Sequence, residues 1–286
     1  MSTPASGDEP ARVTPDWLAL REGADAAARA TELLDPLRAY LAEASPERLV
    51  IQDLGCGTGS QVRWLAGRLR GPQHWILRDR DPELLAHVDE GVPAAAAGGG
   101  AVTVETRQGD LTALRAEDFG GTSLVTASAL LDLLTFDEID DLAAACVDAG
   151  CPALLTLSVA GRADLSPADP LDAELAEAFN AHQRRTIGGR RLLGPDAPDA
   201  ATKAFERRGA VVRSRPSPWR LGADSAALAE EWLRGWVAAA CEQRPDLSSQ
   251  ADPYLRRRLQ ACRAGELDVV LHHTDLLVLP PRAVAA

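Results

Sequence analysis

Short apolar runs alternate with amphipathic stretches along most of the chain. Leu49, Val50 and Ile51 form a buried-strand run, glycines follow at 55, 57 and 59, and helical patterning resumes at Gln61 and holds to Leu69. Gly71-Pro72 stops that helix, and residues 74–79 read as a second strand. Residues 101–107 alternate as a third strand, 122–128 form a fourth and 151–159 a fifth, with an amphipathic helix over 136–149 before the last. Upstream, Thr14-Pro15-Asp16-Trp17 reads as a helix start and opens an alanine-rich segment that runs to Leu41. Residues 209–214 and 267–279 can supply two further strands. Repeated strand–helix rounds predict an α/β fold, a doubly wound and mostly parallel sheet with ligands at the carboxyl ends of its strands.

This pattern divides the chain into a disordered tail over 1–13 and a single domain over 14–286. Within the domain we expect an N-terminal helical segment (14–44), a core (45–160), final strands at 209–215 and 267–279, and helical lid insertions at 161–200 and 220–263. The 286 residues suffice for a full core, and 46% hydrophobic with 25% charged residues is ordinary for a globular chain. A net charge of −12 disfavours a nucleic acid partner. Neither a membrane span nor a signal peptide is visible, so a cytoplasmic location is expected. The five cysteines lack paired metal-site spacing and read as packing residues; no metal is expected.

The chemistry gathers around Asp53-Leu-Gly55-Cys56-Gly57-Thr-Gly59-Ser60. Glycines without a Cβ accept positive φ and let backbone approach a ligand, and a helix start supplies free N–H groups, so a nucleotide-like cofactor is the natural occupant. The dinucleotide fingerprint requires glycine where Ser60 stands. The Asp-x-Gly-x-Gly-x-Gly pattern instead resembles the first motif of the class I S-adenosylmethionine (SAM)-dependent methyltransferases. That resemblance implies a seven-stranded sheet of order 3-2-1-4-5-7-6 with strand seven antiparallel, and SAM as cofactor, with S-adenosylhomocysteine as product. It implies cofactor contacts from Asp53, Gly55, Gly57 and Gly59, with Cys56 as a small side chain beside the ligand. Asp79 falls in the register of the family's ribose-binding acid and is followed by Arg80, while Asp81 before Pro82 suits a helix N-cap. Gly109-Asp110-Leu111 resembles the family's adenine-binding turn, and Ser128 and Ala129 fall beneath the transferred methyl group. Arg21 and Arg29, in the leading helical segment, are candidates to meet the methionine carboxylate.

The acceptor is less legible. Arg184, Arg185, Arg190 and Arg191 concentrate positive charge in the first insertion, which would suit an anionic acceptor. Trp219 is a further substrate-binding candidate, whereas Trp232 and Trp236 share one helical face and read as packing. A general base could be His182, Asp132, or one of His272 and His273, which alternate across a strand so that at most one should face a given pocket. These residues support methyl transfer to a small molecule in biosynthesis. A protein or RNA methyltransferase, and a member that binds the cofactor without methyl transfer, remain alternatives, and the oligomeric state is open.

Overall fold

The computed structural model describes residues 13–44 and 46–281, so the tail expected over 1–13 lies, except for Val13, outside the described residues. The chain opens on α1 (Pro15–Ala28), whose N-terminus is capped by Thr14 Oγ1 accepting from Trp17 N at 3.2 Å, with proline in the first turn. Helix α2 (Leu34–Ala44) leads into β1 (Leu49–Leu54), the glycine loop and the short helix α3 (Ser60–Leu65). The helix expected to Leu69 tightens into a 3-10 turn over Ala66–Arg68. There follow β2 (Gln73–Asp79), the single turn α4 (Pro82–Leu85), β3 (Val102–Gln108), β4 (Leu124–Ser128) and α5 (Phe136–Asp148). A Thr135–Glu138 capping box starts α5.

Beyond it, β5 (Ala153–Ser166) is followed by α6 (Asp172–Gln183), the small hairpin β6 (Thr186–Ile187) and β7 (Arg190–Arg191), and α7 (Ala197–Glu206). The chain closes with β8 (Val211–Pro216), β9 (Trp219–Leu221), α8 (Ala226–Gln243), α9 (Ser248–Ala264) and β10 (Asp268–Leu279). The sheet runs β3-β2-β1-β4-β5-β10-β8, with β9 also paired to β10. Strands β3, β2, β1, β4 and β5 are parallel, and β10 is antiparallel to β5, β8 and β9. With β8 and β10 as the sixth and seventh strands, this is the expected order 3-2-1-4-5-7-6, and β9 is an added strand.

The first insertion differs from a helical lid at its start. Strand β5 continues past residue 160 to Ser166, pairing along β10 from Ala153↔Val278 to Ser166↔Asp268. Likewise Trp219–Leu221 enters the sheet before the second insertion turns helical. Burial explains both extensions. Leu165, Val269, Leu271, Trp219 and Leu221 are buried together with apolar residues of α6, α8 and α9 in a core of their own. Two other clusters fill the faces of the main sheet, one under α5 and α7, the other under α2 and α3. Among the described residues no helix is long and apolar enough to cross a membrane.

Candidate functional site

The glycine loop leaves β1 with all three glycines in the left-handed region, at φ +63 (Gly55), +55 (Gly57) and +88 (Gly59). A Cβ at Gly57 would meet Leu18 Cδ1 of α1 at 2.8 Å, and one at Gly55 would meet Leu130 Cδ1 at 3.0 Å. Helix α1 is fixed over the loop by Glu22, which takes two bonds of 2.6 Å from Arg63 of α3. Asp79, at the end of β2, accepts from Gly57 N and Asp81 N, both at 2.9 Å, and so ties loop and strand ends together. Asp81 caps α4 by accepting from Glu83 N. Gly109 N donates to Asp79 O, bringing the β3 turn alongside.

Arg80 is exposed at that turn, and its carbonyl accepts from Gln108 Nε2. Asp110 is exposed as well. Its Oδ1 takes bonds from Thr112 N and Oγ1, which holds its carboxyl below the usual range and caps a 3-10 turn that begins at Leu111. Asp53 is buried: Oδ1 accepts from Thr126 Oγ1 at 2.6 Å, Oδ2 has no partner, and burial pushes the carboxyl up to about 7 against the Thr126 bond and Arg29. Cys56 is buried beside it, and burial raises its thiol far from the reactive range.

Arg29 is the least ordinary group here. The sequence places it at the end of an alanine-rich amphipathic helix, yet only 2% of its surface is exposed. Nη2 donates to Ser60 Oγ (3.2 Å) and Ser128 Oγ (3.1 Å), joining the glycine loop to the end of β4, and the guanidinium lies 5.3 Å from the Trp64 ring centre. Nε and Nη1 have no partner. Burial lowers its pKa, opposed by the nearby charges of Asp25, Asp275 and Asp53. A buried cation with open donors is costly unless an anion meets it.

Next to Ser128, Ala129 takes φ +50, an unusual value for a residue with a Cβ, and borders a cavity of about 290 Å³. Trp17, Phe179, Trp219, Trp232 and Trp236 line this cavity, between α1, α6, α8 and the middle of β5 and β10. Trp232 and Trp236, read as packing, stack on each other at 5.1 Å and face the cavity too. Asp132 lies in its wall, with Oδ1 buried and unpartnered, and burial raises its carboxyl to about 6. His272 and His273 both border the cavity, because register shifts in the β10–β5 pairing interrupt the side-chain alternation. His272 pairs with Asp164 at 2.8 Å, and burial keeps His273 neutral by lowering it to about 4.

Several expected residues sit elsewhere. Arg21, a candidate for the cofactor carboxylate, pairs with Asp25, lies 4.9 Å over Trp219 and lines the cavity. Trp219 also donates to Asp25. Neither His182 nor the arginine group lines the cavity. His182 pairs with Glu242 at 3.2 Å, Arg185 bonds back to His182, Arg184 takes Asp196 in two bonds, and Arg190 takes Glu138 in two bonds. The guanidinium groups of Arg184 and Arg190 are thus engaged with acids, and that of Arg185 with a helix end.

Asp275 went unnoticed in the sequence, although an aspartate directly before the apolar run Leu276–Leu279, well inside a strand, was a signal. It is buried and accepts from Ala30 N, Leu157 N and Ser217 Oγ at 2.8, 2.7 and 2.5 Å. It thereby holds the residue after Arg29 and the cavity-lining Leu157, itself at φ +57. Among the described residues no group of three or more His, Cys, Asp or Glu is placed to hold a metal.

No family model matches the chain, and no curated protein matches it in sequence. Among solved structures it is similar to the cyclopropane synthase MmaA2 from Mycobacterium tuberculosis (12% identity, 93% of this chain and 94% of that one, TM-score 0.46). It is also similar to a SAM-dependent methyltransferase from Geobacter sulfurreducens in complex with S-adenosyl-L-homocysteine (16%, 94% and 99%, 0.42). Coclaurine N-methyltransferase bound to N-methylheliamine and S-adenosylhomocysteine is a third (11%, 94% and 80%, 0.43). At such identities and scores these likenesses carry no weight for the site, whose reading rests on the chain's own residues.

Proposed function

We propose that the chain is a SAM-dependent methyltransferase whose small-molecule acceptor occupies the tryptophan-lined cavity. The observation that carries this reading is Arg29: a buried guanidinium with two open nitrogens, set between the glycine loop and the end of β4. It suits the carboxylate of an amino-acid-bearing nucleoside, which would receive charge-assisted bonds there. Asp53 Oδ2, buried and unpartnered, suits the neighbouring ammonium. Asp79 would accept from ribose hydroxyls, the Gly109–Asp110–Leu111 turn would border the adenine, and Gly55, Gly57 and Gly59 would give backbone approach between them. When bound, SAM supplies a methyl group activated by a sulfonium centre.

The protein's part is then positioning and exclusion of water. Ala129 stands where the cofactor site and the cavity meet, the aromatic wall keeps the acceptor dry, and Asp132 can accept a proton from it. A cavity of about 290 Å³ favours a small acceptor over a protein or RNA. Equilibrium dialysis with radiolabelled SAM tests the cofactor assignment. We expect one SAM retained per chain and, because a lost bond to a charged group is worth roughly 1.5–3 kcal/mol, at least about tenfold weaker retention by Asp79→Ala. Wild-type retention by that variant would overturn the ribose assignment, and no retention by the wild type would overturn the reading.

A further inference from the structure

The cavity's wall carries more than the presence of an acceptor site. Three residues that line it hold buried polar atoms without partners: Asp132 Oδ1, Gln183 Oε1 and His273 Nδ1. The first two are hydrogen-bond acceptors, and a neutral imidazole presents an acceptor on one nitrogen. Buried acceptors left open are costly, so a ligand that donates to them recovers what folding forfeits.

Charge narrows the class. Arg21 is matched by Asp25, while Arg162 and His272 share Asp164. Asp132 has no such direct partner but lies in the field of Arg21 and Arg185, so the charges around the cavity balance and favour neither an anion nor a cation. Shape narrows it further. Five aromatic side chains, two of them stacked tryptophans, favour a flat ring, and about 290 Å³ is at the small end of ligand sites.

We infer that the cavity binds an uncharged hydroxylated aromatic molecule of phenol type, stacked on the tryptophans and donating to the acceptors of Asp132, Gln183 and His273. This inference rests on the methyltransferase reading for its meaning as an acceptor class, but the binding itself is independent of it. The test is calorimetric titration of the full chain, with and without S-adenosylhomocysteine, using four probes of one ring system: 2-naphthol, 2-methoxynaphthalene, 2-naphthoate and 2-naphthylmethylamine.

We expect 2-naphthol to bind at one site, and the ether, the acid and the amine each to bind at least about tenfold more weakly. Asp132→Asn and Gln183→Leu should each weaken 2-naphthol severalfold while near-ultraviolet circular dichroism shows the native fold. Equal or tighter binding of the ether would remove the donor requirement, and equal or tighter binding of the acid or amine would remove neutrality; either overturns the inference, as does no binding of 2-naphthol up to its solubility. S-adenosylhomocysteine failing to bind while 2-naphthol is selected would overturn the methyltransferase reading and leave the cavity's class standing.

Discussion

Arg29 shows how a single side chain can point to a ligand. Water would satisfy all its donors in an unfolded chain; here Ser60 and Ser128 meet Nη2, and two nitrogens stay open. Replacing it by glutamine should weaken S-adenosylhomocysteine by at least about tenfold, as for the loss of a charge-assisted bond, yet leave adenosine, which has no carboxylate, unchanged in calorimetry. Equal losses for both ligands would show that Arg29 only shapes the loop. Asp53 yields a pH signature. Burial lifts its carboxyl from an ordinary 3.8 to about 7, so it favours the folded state below 3.8 and that contribution disappears as pH rises through 7. Asp53→Asn should therefore gain stability relative to the wild type between pH 4 and pH 8, by up to about 4 kcal/mol at roughly 1.4 kcal/mol per pH unit, read from urea midpoints. Parallel pH profiles would contradict the burial cause. Asp53 and its glycines were legible because the motif is local, whereas the burial of Arg29 depends on α1 ending against α3 and β4, contacts 31 and 99 residues away in sequence.

At the scale of elements, α1 is the piece most dependent on its surroundings. Leu18 fills the space a Cβ would need at Gly57, Glu22 holds Arg63, and Asp275 takes the Ala30 N–H just past its end. Gly57→Ala would place a Cβ at 2.8 Å from Leu18 and at positive φ, so it should cost at least about 1–2 kcal/mol in urea denaturation, and Leu18→Ala should recover the clash but not the backbone strain. Asp275→Ala removes three bonds from a buried carboxylate and should destabilise by roughly 3 kcal/mol or more, since each bond to a charged group is worth about 1.5–3 kcal/mol. A cost below 1 kcal/mol, about that of one neutral hydrogen bond, would show that Asp275 holds little. The cap at Asp81, the start of β1 and the end of β2 were readable from spacing. The outer reach of β5 was not: Gly161-Arg162-Ala163-Asp164 falls at the start of the expected lid insertion, and only pairing with β10, far along the chain, makes it strand.

Over the whole molecule, one half of the sheet ends at the glycine loop, and the other half, lengthened through β5, β9 and β10, carries α6, α8 and α9 and the cavity between them and α1. The mostly parallel sheet followed from the strand–helix rounds and its strand order from the resemblance, but the cavity did not, because tryptophans at 17, 219, 232 and 236 come together only through the second core. Of the four arginines in the first insertion, Arg184 and Arg190 are ion-paired near the surface, where such pairs contribute little to stability. A crystal structure of the protein with S-adenosylhomocysteine bound tests the central claim most directly. We expect the ribose on Asp79, the adenine beside Gly109–Asp110–Leu111, the carboxylate on the open nitrogens of Arg29, and the sulfur facing the cavity at Ala129. Density for the ligand away from the glycine loop, or an Arg29 still without an anion in a ligand-bound site, would contradict it.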